Sequence, residues 1–135
     1  MMVDAIDHVV LTSSNLDKTI YFFVNVLEMT LKKSKSGNDS SIRYSLHFGK
    51  QKINIHEYKS IFSPHAFIAR PGTLDVCFIS KKKLSYWINK FKINNIKILE
   101  GPVERIGAYS KLISIYCNDP DGNLIEVSNS INNND

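Results

Sequence analysis

Four residues of this 135-residue chain could share one task. His8, His56, Asp75 and Glu126 carry side chains that ligate divalent cations, and each stands in a run that reads as a β-strand. Glu126 poses the sharpest question. It closes the stretch Asp119-Pro120-Asp121-Gly122-Asn123-Leu124-Ile125-Glu126-Val127, a tight turn feeding an apolar strand. A carboxylate facing a core is costly unless a partner or a metal holds it. A metal held there with open coordination positions would act as a Lewis acid on a bound oxygen, and a carboxylate nearby could move a proton.

The elements that must carry these residues follow one pattern twice. Ile6 to Thr12 is strand-like, Ser13-Ser14-Asn15 offers helix caps, and Ile20, Phe23, Val24 and Leu27 recur at helical spacing through Met29. Strands are predicted over Leu31–Ser36, Ile42–Phe48 and Lys52–Tyr58, with a turn at Gly37–Ser40. Lys59 to Gly72, with Pro64 and Pro71, reads as a linker. Thr73–Ile79 then starts a second strand–helix–strand–strand–strand series. Its helix is Leu84–Asn94, with Leu84, Trp87, Ile88 and Phe91 on one face. Its later strands are Lys97–Val103, Lys111–Cys117 and Asn123–Ser128, with Gly101-Pro102 and Gly107 framing a loop.

The predicted class is therefore α+β: one domain over residues 1–135, made of two βαβββ modules paired into a cupped, mixed β-sheet. Module one spans about 4–58, the linker about 59–72 and module two about 73–129. His8 and His56 lie on the first and last strands of module one; Asp75 and Glu126 lie on the first and last strands of module two. Paired half-open sheets would line a cleft with alternate residues of each strand.

Composition narrows the remaining classes. Charged residues are 22% and net charge is +4, but the lysines are scattered rather than striped with aromatics, so no nucleic-acid partner is predicted. No apolar run approaches the ~20 residues of a membrane span, so no membrane partner is predicted. The acidic start Met1–Asp7 lacks the pattern of a signal peptide, which makes a cytoplasmic location the expectation. Cys77 and Cys117 read as buried free thiols, and the tail from Asn129 to Asp135 as polar and frayed.

In order along the chain, "IDHVVLT", "FFVNVLEM" and "DPDGNLIEV" resemble the vicinal oxygen chelate superfamily, which includes glyoxalase I, bleomycin-resistance proteins, fosfomycin-resistance enzymes and extradiol dioxygenases. The resemblance runs from Ile6 to about Ser130. "FGKQKINIHE", "PGTLDVCFI" and "EGPVERIGA" are more narrowly similar to the glyoxalase domain-containing protein 5 group. The resemblance implies a divalent metal cofactor (Zn, Ni, Co, Mn, Fe or Mg), a small oxygenated substrate and a homodimer, with modules exchanged between chains or not. It implies His8 and Glu126 as ligands, and His56 at or near the place of another, with Asn54 as the alternative. Asp75 stands where many members have histidine, and such a set is harder than a histidine-rich one. The activity implied is a glyoxalase-like lyase or isomerase, in which the metal binds two neighbouring substrate oxygens and stabilises an enediolate or alkoxide while Glu126 serves as both ligand and catalytic base. The alternatives are a metal-free binding protein of bleomycin-resistance type, or a dioxygenase or thiol transferase.

Arg43, His47, Asn54, Tyr109 and Tyr116 are candidate cleft residues for an anionic substrate. Each candidate also has a structural account. His8 could bond backbone, Glu126 could pair with a surface lysine, Asp75 could bond amides, and the others could sit at the surface or core edge. Asp119 and Asp121 read as turn residues.

Overall fold

The structure is a computed structural model that describes residues 2–35 and 41–131. The predicted turn at Gly37–Ser40 and the tail from Asn132 to Asp135 lie outside the described residues. The chain divides into two compact units, Met1–Thr73 and Leu74–Asp135.

In the first unit, β1 (His8–Ser13) leads into helix α1 (Leu16–Ile20), whose last turns widen to π-type over Tyr21–Val26. Asn15 caps α1 by accepting the Lys18 N–H at 3.0 Å. Thr19, Phe22, Phe23 and Val26 are the buried positions, so the stripe runs i, i+3, i+4, i+7. It differs by one step from the predicted face: Phe23 and Leu27 are buried, but Val24 is only half-buried. The widened turns account for the shift, because Leu27 N–H reaches back five residues to Phe22 C=O. Strands β2 (Thr30–Lys35), β3 (Ile42–Phe48) and β4 (Gln51–Glu57) complete a four-stranded sheet of order β1-β4-β3-β2. β1 and β4 are parallel; the other pairs are antiparallel. Leu11, Leu46, Ile53 and Ile55 are buried, and with the helix phenylalanines they form the core of this unit.

The second unit repeats the order. Strand β5 (Asp75–Ile79) precedes α2 (Leu84–Ile93), then β6 (Glu100–Ile106), β7 (Lys111–Asn118) and β8 (Leu124–Ile131) form a sheet of order β5-β8-β7-β6. Leu84, Trp87 and Phe91 are buried as their spacing predicts, together with Ile115, Cys117, Ile125 and Val127. The duplicated βαβββ order is present in full.

Three readings are corrected. Gly101-Pro102 does not frame a loop but lies within β6, at a bulge between Glu100 and Val103. Gly101 has φ +107°, and a Cβ there would stand 2.3 Å from the Ser114 carbonyl oxygen, so only glycine fits the bulge. Asn129–Ile131 is not frayed but continues β8. The Asn129 side chain accepts Leu84 N–H at 2.8 Å and donates to the Ser80 and Lys82 carbonyls, so it caps α2 from across the sheet. Cys77 is exposed, whereas Cys117 is buried as expected, its thiol pushed up to about 12 by burial.

Candidate metal and substrate site

Register decides which candidate residues occupy equivalent places. His8 pairs with Lys52, so Asn54 stands two residues further along β4 on the same face. Asp75 pairs with Leu124, and Glu126 stands two residues further along β8 on the same face. His8 with Asn54 therefore matches Asp75 with Glu126. His56 pairs with Thr12 instead, four residues beyond the His8 row, about 13 Å along the strand. Its counterpart in the second unit is Ser128.

His8 is well prepared as a donor. Its Nδ1 bonds the Asp7 carboxylate at 2.8 Å, which holds the ring and leaves Nε2 as the nitrogen not used in that bond. That bond holds the Asp7 carboxyl below the usual range.

The face of the first sheet turned away from α1 carries Arg43, His47, Lys52, Asn54 and His56 in neighbouring rows. A cavity of about 300 Å³ is lined by Arg43, Ser45, Lys52, Asn54 and His56, among others. Phe62 closes one side of this cluster: the Arg43 guanidinium lies 3.3 Å from its ring centroid, and the His56 ring meets it edge-on at 5.6 Å. His56 Nδ1 is buried with no hydrogen-bond partner among the described residues. Burial, then the charges of Arg43 and His65, hold His56 below the usual imidazole pKa. His47 is bonded to Ser45 Oγ at 2.9 Å, and desolvation with Lys32 and Lys52 lowers its pKa as well.

Glu126 lies on the face of the second sheet turned away from α2, in one row with Cys77 and Tyr116. Ser128 Oγ donates to its Oε2 at 3.4 Å, and Ser128 is tied in turn to Ser114 Oγ at 2.6 Å and Cys77 Sγ at 3.2 Å. On the other side, Arg105 Nε donates to the Tyr116 hydroxyl at 2.9 Å, and Arg105 Nη2 is anchored on Glu100 at 3.1 Å. Arg105 thus occupies one lone pair of the Tyr116 hydroxyl, in the row beside Glu126. Burial chiefly, with the Glu126 charge, raises the Tyr116 pKa, so the phenol stays protonated. Burial also raises Cys77, with Glu126 and Asp75 adding to it, so that thiol is a poor nucleophile.

Tyr109 is fully exposed between β6 and β7, and Asp75 is exposed at the start of β5. Among the described residues, no three His, Cys, Asp or Glu side chains gather into a group able to hold a metal ion. By type, His8, Asn54, Asp75 and Glu126 are each a group able to ligate a divalent cation. Sequence reasoning missed Lys52, Arg105 and Ser128. The period-two alternation that singled out His56 and Glu126 also puts Lys52 and Ser128 on their faces. Arg105 had no such signal, because the Gly101 bulge sets its row.

The DPDG turn positions β8. Asp119, 5% exposed, accepts N–H bonds from Asp121 and Asn123 at 2.9 Å and the Asn123 side-chain amide at 2.7 Å. Asn123 Oδ1 accepts Leu74 N–H at 2.9 Å, which ties the turn to the approach to β5. Burial pushes the Asp119 carboxyl up against the pull of these donors. The turn-residue reading of Asp119 thus holds, and it acts as a buried clamp.

Comparison with known proteins identifies the frame. The family model described as "Glyoxalase/Bleomycin resistance protein/Dioxygenase superfamily" matches residues 5–127. Virulence protein STM3117 of Salmonella typhimurium is 43% identical over 95% of this chain and 85% of its own. Its crystal structure superposes with a TM-score of 0.89, covering 97% of this chain and all of that one, at 42% identity. Glyoxalase domain-containing protein RDO1 of Mycosarcoma maydis is 38% identical over 95% of this chain and 69% of its own. These relatives do not single out the glyoxalase domain-containing protein 5 group. Two more distant structures show the shared fold. TnmS3, an antibiotic binding protein from Streptomyces, is 13% identical, with a TM-score of 0.71 over 97% of this chain and 99% of its own. The lactoylglutathione lyase of Agrobacterium tumefaciens is 18% identical, with a TM-score of 0.69 over 96% of each chain. With its two βαβββ modules, the chain belongs to the glyoxalase/bleomycin resistance protein/dioxygenase superfamily.

Proposed function

We propose that this protein is a metal-dependent enzyme of glyoxalase type, a lyase or isomerase acting on a small oxygenated substrate. The observation that carries the reading is the register match of His8 with Asn54 to Asp75 with Glu126, which puts donor atoms on corresponding rows of both modules. The ligands are His8, Asp75, Glu126 and, by register, Asn54 in preference to His56. They come from one chain, or from two in a homodimer. The bound divalent ion would polarise adjacent substrate oxygens and stabilise the charge that develops on them.

Glu126 acts as the base. Its carboxylate takes a proton from carbon next to the polarised carbonyl and returns it to the neighbouring position. Ser128 steadies one oxygen of the carboxylate. Tyr116, braced by Arg105 and kept protonated by burial, stands in the row beside Glu126, where its phenol would serve as a second donor.

The test is elemental analysis of the full chain purified without chelator, beside Glu126→Gln, followed by turnover of α-oxoaldehydes and their thiol adducts. A stoichiometric metal lost in Glu126→Gln is the expected result. Absence of metal in both proteins after loading would sink the reading. A metal-free binding protein is the second reading, favoured by the fold shared with an antibiotic binding protein. The first sheet disfavours a cationic drug, because its open face is basic; a cationic ligand that raises the melting temperature while metals do not would establish that reading instead.

A further inference from the structure

The duplicated modules allow one corner to be compared with its own copy. Ser13 and Glu57 lie five residues beyond His8 and Lys52, the first paired row of β1 and β4; Ser80 and Asn129 lie five beyond Asp75 and Leu124, the first paired row of β5 and β8. The two serines act alike. Ser13 Oγ accepts Asn15 N–H at 3.2 Å, and Ser80 Oγ accepts Lys82 N–H at 3.1 Å, each just ahead of its helix. Glu57 and Asn129 do not. Asn129 seals the second corner, accepting Leu84 N–H and donating its amide to the Ser80 and Lys82 carbonyls. Glu57 has no side-chain N–H to donate, and α1 is capped by its own Asn15. Glu57 is half-buried, and its carboxylate has no hydrogen bond or ion pair among the described residues.

The first corner is open where the second is sealed. A cavity of about 410 Å³ lies there, lined by Ser13, Asn15, Asp17, Glu57, Tyr58 and Lys59, among others. It sits outside the carboxyl ends of the parallel pair β1 and β4, where α1 begins, a position at which open sheets hold ligands. Its size suits a small organic molecule. Ser13 Oγ and Asn15 Oδ1 are already engaged at the start of α1. The Asp17 and Glu57 carboxylates are left to meet an occupant, against the single ammonium of Lys59, and none of the three forms an ion pair among the described residues. Carboxylates only accept hydrogen bonds, whereas an ammonium donates three and accepts none, so the lining and that group are complementary. Tyr58, 51% exposed, adds an aromatic wall of the kind that attracts cations.

We propose that this corner is a binding site for a compact primary amine, held through its ammonium group by Glu57 and Asp17. The ammonium supplies from outside the N–H donors that Asn129 builds into the second unit. The site is separate from the basic open face of the first sheet, because Glu57 alternates with His56 and so turns to the other side of β4. It therefore does not depend on the metal-dependent reaction. Bound there, the amine joins the end of β4 to the start of α1, and it stabilises the first unit by mass action.

The experiment uses chelator-treated full-length protein, so that its outcome is independent of metal binding. The probe is putrescine, compared with the neutral diol of the same chain length and with sodium at matched ionic strength. Calorimetry should show saturable binding of one putrescine per chain, and thermal unfolding a melting temperature raised beyond the effect of sodium; the diol should give neither. Glu57→Gln should weaken the binding roughly tenfold or more. Glu104→Gln, which removes the same charge from an exposed position of β6 in the second unit, should leave it unchanged. If Glu57→Gln does not fold, Asp17→Asn replaces it, with a weakening relative to Glu104→Gln as the expected result. Stabilisation no greater than that of sodium, equal binding of the diol, or equal affinity in the cavity variant and Glu104→Gln would overturn the site. Metal content is read on the untreated protein, so failure of the amine site leaves the metalloenzyme standing, and failure of the metalloenzyme leaves the amine site standing.

Discussion

Asp119→Ala should be among the most damaging single changes outside the apolar core. The carboxylate is 5% exposed and receives three donors, two from backbone and one from the Asn123 amide. Asn123 is 1% exposed, so its Nδ2 and N–H would lose their partner where water cannot readily replace it. Stranding a buried donor costs about 1–3 kcal/mol, while the Asp121 N–H, nearer solvent, costs less. Removing a buried carboxylate returns part of its desolvation cost, which the raised Asp119 pKa reflects. The balance is a loss of about 3 kcal/mol. Asp119→Asn keeps one acceptor oxygen but turns an amide toward the Asn123 amide, and should lose about half as much. Urea denaturation followed by circular dichroism reads this directly. With a slope of about 1–3 kcal/mol/M, the alanine midpoint should fall by roughly 1–3 M. An alanine midpoint within experimental error of the parent would refute the clamp. The change also bears on function, because the clamp helps fix the β8 register, and a one-residue slip would turn Glu126 to the core face.

Three further outcomes are expected. Arg105→Gln should leave metal content intact while shifting the pH profile of kcat, because the Tyr116 hydroxyl loses the donor that orients it; an unchanged profile would remove Arg105 from the positioning role. Gly101→Ala should cost more than about 1 kcal/mol in thermal or urea unfolding, since φ is +107° and the added carbon meets the Ser114 carbonyl oxygen; a neutral effect would mean the bulge relaxes freely. Stability should fall as pH drops below about 6.5. His47 and His56 are both held under that value when folded, so the unfolded chain takes up protons first, and the loss grows until the lower folded values are passed. Replacing both by glutamine should flatten the urea midpoint between pH 5 and 7, and a slope identical to the parent would contradict the assignment.

Much of the frame was legible in the chain. Phe23, Trp87 and Phe91 fall on buried helix faces because their spacing follows the helical period, a local property. The strands alternate because successive side chains point to opposite faces, so Glu126 could be assigned a face away from Ile125 and Val127 before any contact was known. The duplicated βαβββ order came from the same two periods, and the DPDG turn from residues whose backbone preferences are local.

Rows across the sheet were another matter. Alternation says which face a residue takes but not what stands beside it, and so the strand alone could not tell the rows of His56 and Asn54 apart. Register separates them, pairing Thr12 with His56 and Val10 with Asn54. Gly101-Pro102 reads locally as a break, yet the bulge fits it into β6 and brings Arg105 to Tyr116. Asn129 reads as a polar tail until α2 lies close enough to need its cap. Arg43 was legible as a candidate cleft residue, but its contact with the Phe62 ring, from beyond the end of β4, was not. The sequence by itself determined the elements and their faces, because those follow from dihedral preference and short-range period. Tertiary structure decided which side chains meet, because cross-strand hydrogen bonds and distant packing set the rows.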